Sequence, residues 1–354
     1  MSYYKGKKIS VEIYGESHSE KIGVKANGFP RFNFDFEKLI SFLERRKPSS
    51  GVFSTKRKES DYPVFTGVEN NEISGSFGAE IKNSDVRSVD YSNLYGKPRP
   101  SHADYAWHKR DGALDFSGGG RFSGRLTAPL CIVGGIAKQY LETRGIYIEA
   151  YVSSVGQIVG KSYMDGRIST EDIVKERAGS FPSLNKKEDM LALITNTFKS
   201  GDSVGGKVGC VISGVQAGIG DNLFGGLEGK ISSLLYAIPA VKGVEFGKGF
   251  CLSEILGSEA NDELYYDGEG KVCFYTNNSG GINGGISNGN DITLTVGFRP
   301  TPSIRLKQRT VDLVSKQNTE IEIKGRHDAC IVPRAVPCVE SAVALALIDE
   351  IQYV

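Results

Sequence analysis

The stretch from Arg99 to Arg125, RPSHADYAWHKRDGALDFSGGGRFSGR, gathers two histidines, three aspartates, the chain's only tryptophan and a glycine triplet. All four histidines fall in three short segments: His18 in YGESHSE, His102 and His108 in this stretch, and His327 in KGRHDACIVPRAVP. Histidines that only fill a core would scatter, whereas a shared pocket would gather them. Imidazole titrates near neutrality, so such a pocket suits proton transfer.

Two other chemistries fit less well. His102 and His108 stand six apart, which does not place them on one helix face as an i, i+4 metal pair would, and no recognised ligand spacing occurs. No metal is expected. A Ser-His-Asp hydrolase would need a nucleophile elbow, and the chain has no G-x-S-x-G. Ser17 and His18 are adjacent, and on an extended segment adjacent side chains point to opposite sides, so they are not expected to form a nucleophile–base pair.

Guanidinium is the other recurring group. Arg99, Arg121, Arg125, Arg299, Arg305, Arg326 and Arg334 accompany the glycine-rich or histidine-bearing segments, and arginine captures carboxylate and phosphate oxygens in pairs. The segment RRKPSSGVFSTKRK, from Arg45 to Lys58, carries six positive charges and no acidic residue. Backbone amides of GGGRFSG and GGINGGIS could also hold a phosphate. These types point to a small, multiply anionic metabolite beside proton-transferring imidazoles; the reaction does not follow from them. A non-catalytic protein that binds an anionic metabolite or nucleic acid through Arg45–Lys58 stays open as the alternative.

Helices and strands must position these groups. In DFEKLISFLERRK, Phe36, Leu39, Ile40 and Leu43 repeat at helical spacing behind an Asp35 cap. TAPLCIVGGIAKQYLETRG and AVPCVESAVALALIDEI are apolar nearly all round, which predicts buried helices, and KKEDMLALITNTFKSG and LEGKISSLLYAI are also helical. Strand-like runs are KISVEIY, YPVFTGV, IYIEAYVSSVG, KVGCVISGV, KVCFYT, DITLTVGF and EIEIKG. Turns rather than helices join several of them, which favours antiparallel sheets packed on helices, an α+β fold, in a single domain over residues 1–354.

Composition narrows the rest. Hydrophobic residues make up 39% and charged residues 24%, enough for a large core and a hydrated surface, and a net charge of +1 argues against an indiscriminate DNA binder. The six cysteines are scattered without a C-x-x-C pair and read as reduced core thiols. The N-terminus has no apolar signal region and TAPLCIVGGIA is too short to cross a bilayer, so a cytoplasmic protein without membrane contact is expected. Glycine is abundant, 44 residues of 354, in clusters that read as turns or places of close backbone approach.

Taken together, GESHS, RPSHADY with GGGRFSGR, and GRHDACIVPRAVP make the chain resemble the chorismate synthase family. LERRKP, GDSVGGKV, AVKGVEFG, GGINGGISNG and FRPTPSI follow in the family's order, so the resemblance spans nearly the whole chain. It implies a carbon–oxygen lyase ending the shikimate pathway, on the way to the aromatic amino acids. The substrate implied is 5-enolpyruvylshikimate 3-phosphate, which loses phosphate and its C6 proton by 1,4-anti elimination to give chorismate. It implies a need for reduced FMN with no net redox change. It also implies a homotetramer and a helical layer sandwiched between antiparallel sheets. Some family members reduce FMN themselves with NADPH; the compact length here favours an external flavin reductase.

The resemblance assigns roles residue by residue. His18 matches the imidazole that protonates the departing phosphate, His102 the imidazole that manages flavin protonation, and Asp328 the carboxylate that assists C6 deprotonation. Ser17, Arg46, Arg99, Ser123, Arg125 and Arg326 match the substrate-binding wall. Arg121, Phe122, Ser123, Ala240, Gly284, Arg299, Pro300, Thr301, Pro302, Ser303 and Arg326 fall on FMN-contacting stretches. The chain departs from the family's usual pattern at Val52, Phe122, Leu126 and Pro239, which bears on individual flavin or phosphate contacts. His108 is expected to be structural.

Overall fold

The computed structural model describes residues 1–47, 60–83, 94–116, 118–165, 169–177, 181–323 and 328–351. Two five-stranded antiparallel sheets enclose the helices. The first has the order β1-β2-β3-β5-β4, from β1 (Ser2–Lys5), β2 (Ser10–Tyr14), β3 (Lys21–Asn33), β4 (Val64–Glu69) and β5 (Glu72–Lys82). The second contains β6 (Tyr147–Val155), β7 (Ile158–Val159), β8 (Gly206–Ser213) and β9 (Val241–Phe246). From β9 the chain passes through the hairpins β10–β11 (Leu264–Tyr266, Val272–Phe274) and β12–β13 (Ile282–Asn283, Ile286–Ser287) to β14 (Ile292–Phe298), which inserts between β8 and β9. A last hairpin joins β15 (Gln308–Asp312) to β16 (Gln317–Ile321).

The helical layer holds α1 (Phe36–Glu44), α3 (Thr127–Thr143), α6 (Leu227–Tyr236) and α8 (Val332–Ile351); α2 (Asp104–Asp111) lies at the site described below. Helices α4 (Thr170–Arg177) and α5 (Lys187–Lys199) contact β6, and α7 (Gly257–Ala260) is a single turn. Helix α3 packs on β3 and β5, α8 packs on β6 and β8, and the two helices pack on each other. The expected α+β sandwich is what the chain builds.

Local chemistry explains the helices that were legible. Asp35 caps α1 by accepting from Lys38 N at 3.0 Å, and Leu39 and Leu43 are buried, each burial worth about 1.5–3 kcal/mol. Every described side chain of α8 from Ala335 to Ile351 is buried. In α3 the pair Gly134–Gly135 serves close approach: a Cβ on Gly134 would stand 2.2 Å from that of Ser341 on α8, and one on Gly135 2.8 Å from Leu39 on α1.

The short strands β1, β7, β10, β12, β13 and β15 were not anticipated, nor were the longer β3, β5 and β9. Glycines and a proline interrupt the alternation of these last three, and here these residues make bulges rather than turns. One register shift in β3, between Ala26 and Phe29, spans Gly28, which sits at φ +78°, and a second, between Phe29 and Phe32, spans Pro30.

Buried charge also ties the layers together. Glu340, fully buried on α8, accepts from Arg45 at 2.7 and 2.9 Å, from Lys138 on α3 at 3.1 Å and from Ala150 N on β6 at 3.1 Å. Arg45 is thereby fixed, and with it the backbone of its neighbour Arg46. Asp349 accepts from the backbone N–H groups of Lys7, Lys8 and Ile9 at 2.7–2.9 Å, fastening the β1–β2 turn to α8.

Candidate active site

One cavity of about 840 Å³ is lined by His18, His102 and Asp328, brought together from opposite ends of the chain. Its volume lies in the upper part of the range usual for small-molecule sites. Arg46, Arg99, Arg121, Arg125, Arg299 and Arg334 line it as well.

His18 lies in a turn, not on a strand, after β2. The expectation that Ser17 and His18 point apart is therefore overturned: Ser17 Oγ and His18 Nδ1 are 2.9 Å apart. The glycine triplet explains the ring's seat. A Cβ on Gly118, whose φ is +61°, would stand 2.1 Å from His18 Cε1, so only glycine lets the imidazole lie against this backbone. Ser17 N donates to Gly120 O at 3.2 Å, which joins the two loops.

His102 sits just before α2, with Nδ1 2.5 Å from Asp104 Oδ1. An ionised carboxylate only accepts, so Nδ1 carries the proton and Nε2 is the nitrogen left for exchange. Arg99 grips the same carboxylate, Nε to Oδ2 at 2.7 Å and Nη2 to Oδ1 at 2.8 Å, with Nη2 3.2 Å from His102 Nδ1, and it also donates to Gly118 O at 2.7 Å. Burial alone would raise the Asp104 carboxyl, but the hydrogen bonds from Arg99 and His102 outweigh it and hold it at about 2. The Arg99 guanidinium, expected among the substrate-binding groups, is spent on positioning His102 and the glycine loop.

Arg46 and Arg125 share one carboxylate. Arg46 Nη2 donates to Asp61 Oδ2 and Arg125 Nη1 to Asp61 Oδ1, with all three side chains buried. Burial works to raise the Asp61 carboxyl, and the two guanidiniums bring it below the usual range. Arg125 Nε also donates to Asn83 Oδ1 at 2.9 Å, and Asn83 Nδ2 donates to Glu16 O and Ser19 O, which bracket His18. The Arg46–Asp61–Arg125 cluster is thus joined to the turn that carries His18.

Asp328 accepts from Arg334 Nη1, and Thr301 Oγ1 donates to its backbone carbonyl at 2.9 Å. Ala240, at φ +73°, lines the cavity and its carbonyl accepts from Arg299 N at 3.0 Å; Pro302 and Ser303 line it too. Arg121 lies over the Trp107 ring, 4.4 Å from its centroid, and Trp107 meets Phe122 edge to face at 5.5 Å. Ser123 lines the cavity, its Oγ accepting from Arg125 N at 3.2 Å.

Not every expected residue meets here. Gly284 turns the β12–β13 hairpin and is exposed, outside the cavity lining, and neither Pro300 nor Thr301 lines it. Arg326, His327 and Val52 lie outside the described residues, as does the basic segment beyond Lys47. His108 is tied to Ala113 O at 2.9 Å and does not line the cavity. Asp61, Asn83 and Asp104 were missed as site residues. Asp104 had a signal, two residues after His102 in the same motif; Asp61 and Asn83 had none.

The model of the chorismate synthase family matches residues 9–352. The chain belongs to the chorismate synthase family. The chorismate synthase of Thermococcus kodakarensis is 42% identical over 353 residues, covering 98% of this chain and 97% of that protein. That of Lancefieldella parvula is 42% identical, covering 97% and 94%. That of Methanocaldococcus jannaschii is 40% identical, also covering 97% and 94%. A crystal structure of chorismate synthase superposes with a TM-score of 0.72 at 23% identity, covering 99% of this chain and 93% of that one, which shows the shared fold. The chain is accordingly an enzyme, a lyase. Among the described residues no helix is long and apolar enough to cross a membrane.

Proposed function

We propose that this chorismate synthase family member converts 5-enolpyruvylshikimate 3-phosphate to chorismate by 1,4-anti elimination of phosphate. The observation that carries the reading is the single cavity that His18, His102 and Asp328 line with a partly neutralised wall of guanidiniums.

In this reading Arg46 and Arg125 bind the substrate's oxyanions, keeping one net positive charge after Asp61 is counted. The C–O bond to phosphate breaks with its electron pair leaving on phosphate, and His18 supplies a ring proton to that oxygen. Asp328, oriented by Arg334, takes the C6 proton, whose bonding pair becomes the new double bond. His102, its Nδ1 fixed by Asp104, exchanges a proton through Nε2.

Reduced FMN fits the cavity on two observations. Trp107 and Phe122 offer an aromatic wall, and a Cβ on Gly124, which lines the cavity, would meet nothing within 4 Å. Arg121, Phe122, Ala240, Arg299, Pro302 and Ser303 would hold it, and when bound it supplies electron density that eases cleavage of the allylic C–O bond.

Incubation with 5-enolpyruvylshikimate 3-phosphate and dithionite-reduced FMN, without oxygen, is expected to release chorismate and phosphate in equal amounts with no net flavin oxidation. Release of neither product sinks the reading. With NADPH and oxidised FMN alone no turnover is expected, since reduction is assigned to an external flavin reductase. We further infer a single-domain, cytoplasmic homotetramer. Leu223 and Phe224 stand almost wholly exposed and Phe250 about three-quarters so, as surface covered by another copy would; a light-scattering mass checks the tetramer.

A further inference from the structure

Cys338 lines the cavity from α8, and Cys131 stands behind it on α3, with the two sulfurs 3.8 Å apart. Packing creates this pair. Gly134 and Ser341, which meet so closely that a Cβ on Gly134 would stand 2.2 Å from that of Ser341, are each one turn beyond the cysteines, so the same close contact brings the thiols together. Both are free thiols, buried in the core. Nothing in the proposed elimination uses them.

The two thiols differ in what surrounds them. Cys338 has Arg46 and Arg334 close by, and as a thiol it donates to Arg334 O at 3.5 Å. The hydrogen bond from Cys131, with help from these cations against the effect of burial, lowers the Cys338 thiol. Burial drives the Cys131 thiol upward. The sulfur nearer the guanidiniums therefore lines the cavity, and the sulfur that donates to it stands in contact behind. That is the arrangement of an attacking and a resolving thiol.

We propose that Cys338 is a modification site for small hydroperoxides that enter the cavity, and that Cys131 resolves the product into a Cys131–Cys338 disulfide. The Cys338 thiolate attacks one peroxide oxygen, the O–O bond breaks, and the second oxygen leaves as water or an alcohol after taking a proton. Cys338 is then a sulfenic acid. The Cys131 sulfur attacks the Cys338 sulfur, the S–O bond breaks, and the hydroxide departs as water with the Cys131 proton. Two thiols and one hydroperoxide thus give one disulfide, one water and one water or alcohol. Bond formation brings the sulfurs together by about 1.7 Å. That shift draws on the α8 turn carrying Arg334, which holds Asp328, so turnover falls; this consequence rests on the proposed function.

The test uses the full chain and hydrogen peroxide, followed by unfolding, alkylation and peptide mass mapping. By the time exposed Cys251 is oxidised, the peptides bearing Cys131 and Cys338 are expected to be joined and closed to alkylation until dithiothreitol is added. In Cys131→Ala the link cannot form, and dimedone is expected to trap the Cys338 sulfenic acid. Full alkylation of both cysteines after Cys251 has been consumed overturns the proposal, and the wild-type chain alone suffices to show it. Turnover is expected to fall at least fivefold with oxidation and to recover with dithiothreitol; a mapped disulfide with undiminished turnover refutes the coupling. The mapping needs no turnover, so its failure is distinct from failure of the proposed elimination.

Discussion

The His102 ring is held by Asp104 through Nδ1 at 2.5 Å, and Arg99 grips both oxygens of the same carboxylate. The three residues come from one sequence motif, yet their roles differ. In the proposed reaction His102 exchanges the proton, while Asp104 fixes its tautomer and Arg99 balances the carboxylate's charge.

Asp104→Asn is expected to lower kcat at least about tenfold, and by no more than the loss of His102 itself, about 10²–10⁴-fold, with KM little changed. The same variant reports on stability. The carboxyl at about 2 lies below its ordinary value of about 3.9, so folding gains about 2 kcal/mol from it. A depressed carboxyl contributes fully above pH ~4 and loses its contribution as pH falls towards ~2. Urea unfolding is expected to separate variant from wild type at pH 7 and pH 5, and the gap should narrow at pH 3.

Asp61→Ala leaves the buried Arg46 and Arg125 without their shared carboxylate. The expected cost is about 3–5 kcal/mol, read from thermal or urea unfolding. Inorganic phosphate should raise the melting temperature of the variant more than that of the wild type, because an added oxyanion can replace the missing one. Equal responses would remove Arg46 and Arg125 from the anion wall.

Gly118→Ala puts a methyl group where the His18 ring lies and an L side chain at φ +61°. The backbone conflict costs on the order of 1 kcal/mol. Turnover is expected to fall at least tenfold, because the ring must leave its seat. Steady-state kinetics beside a melting curve checks this, and unchanged kcat would show that the seat does not matter.

His18→Ala is expected to lower kcat by about 10²–10⁴-fold while binding of the phosphorylated substrate largely survives. Arg125→Ala should do the reverse and raise the Kd of that substrate. Calorimetry on both variants distinguishes the roles.

Much of the frame was legible beforehand. Helices α3 and α8 are apolar almost all round, which only burial can satisfy, and α1 carries both its stripe and its Asp35 cap. Strands β3 and β5 were not legible, because a bulge glycine such as Gly28 looks the same in sequence as a turn glycine. The turn at Ser17–His18 escaped notice for a similar reason, since it directly follows the alternating residues of β2.

The amino-acid order by itself determined which reactive groups exist, that imidazoles, guanidiniums and glycines recur in the same short segments, and which helices must be buried. These are local matters of spacing and polarity. Only the tertiary structure decided that Asp61 serves two arginines, that Asn83 ties Arg125 to the His18 turn, and that Cys131 meets Cys338. A buried charge or thiol acquires its partner from whatever packing places beside it. Here packing two helices between two sheets joins residues that chain order keeps far apart.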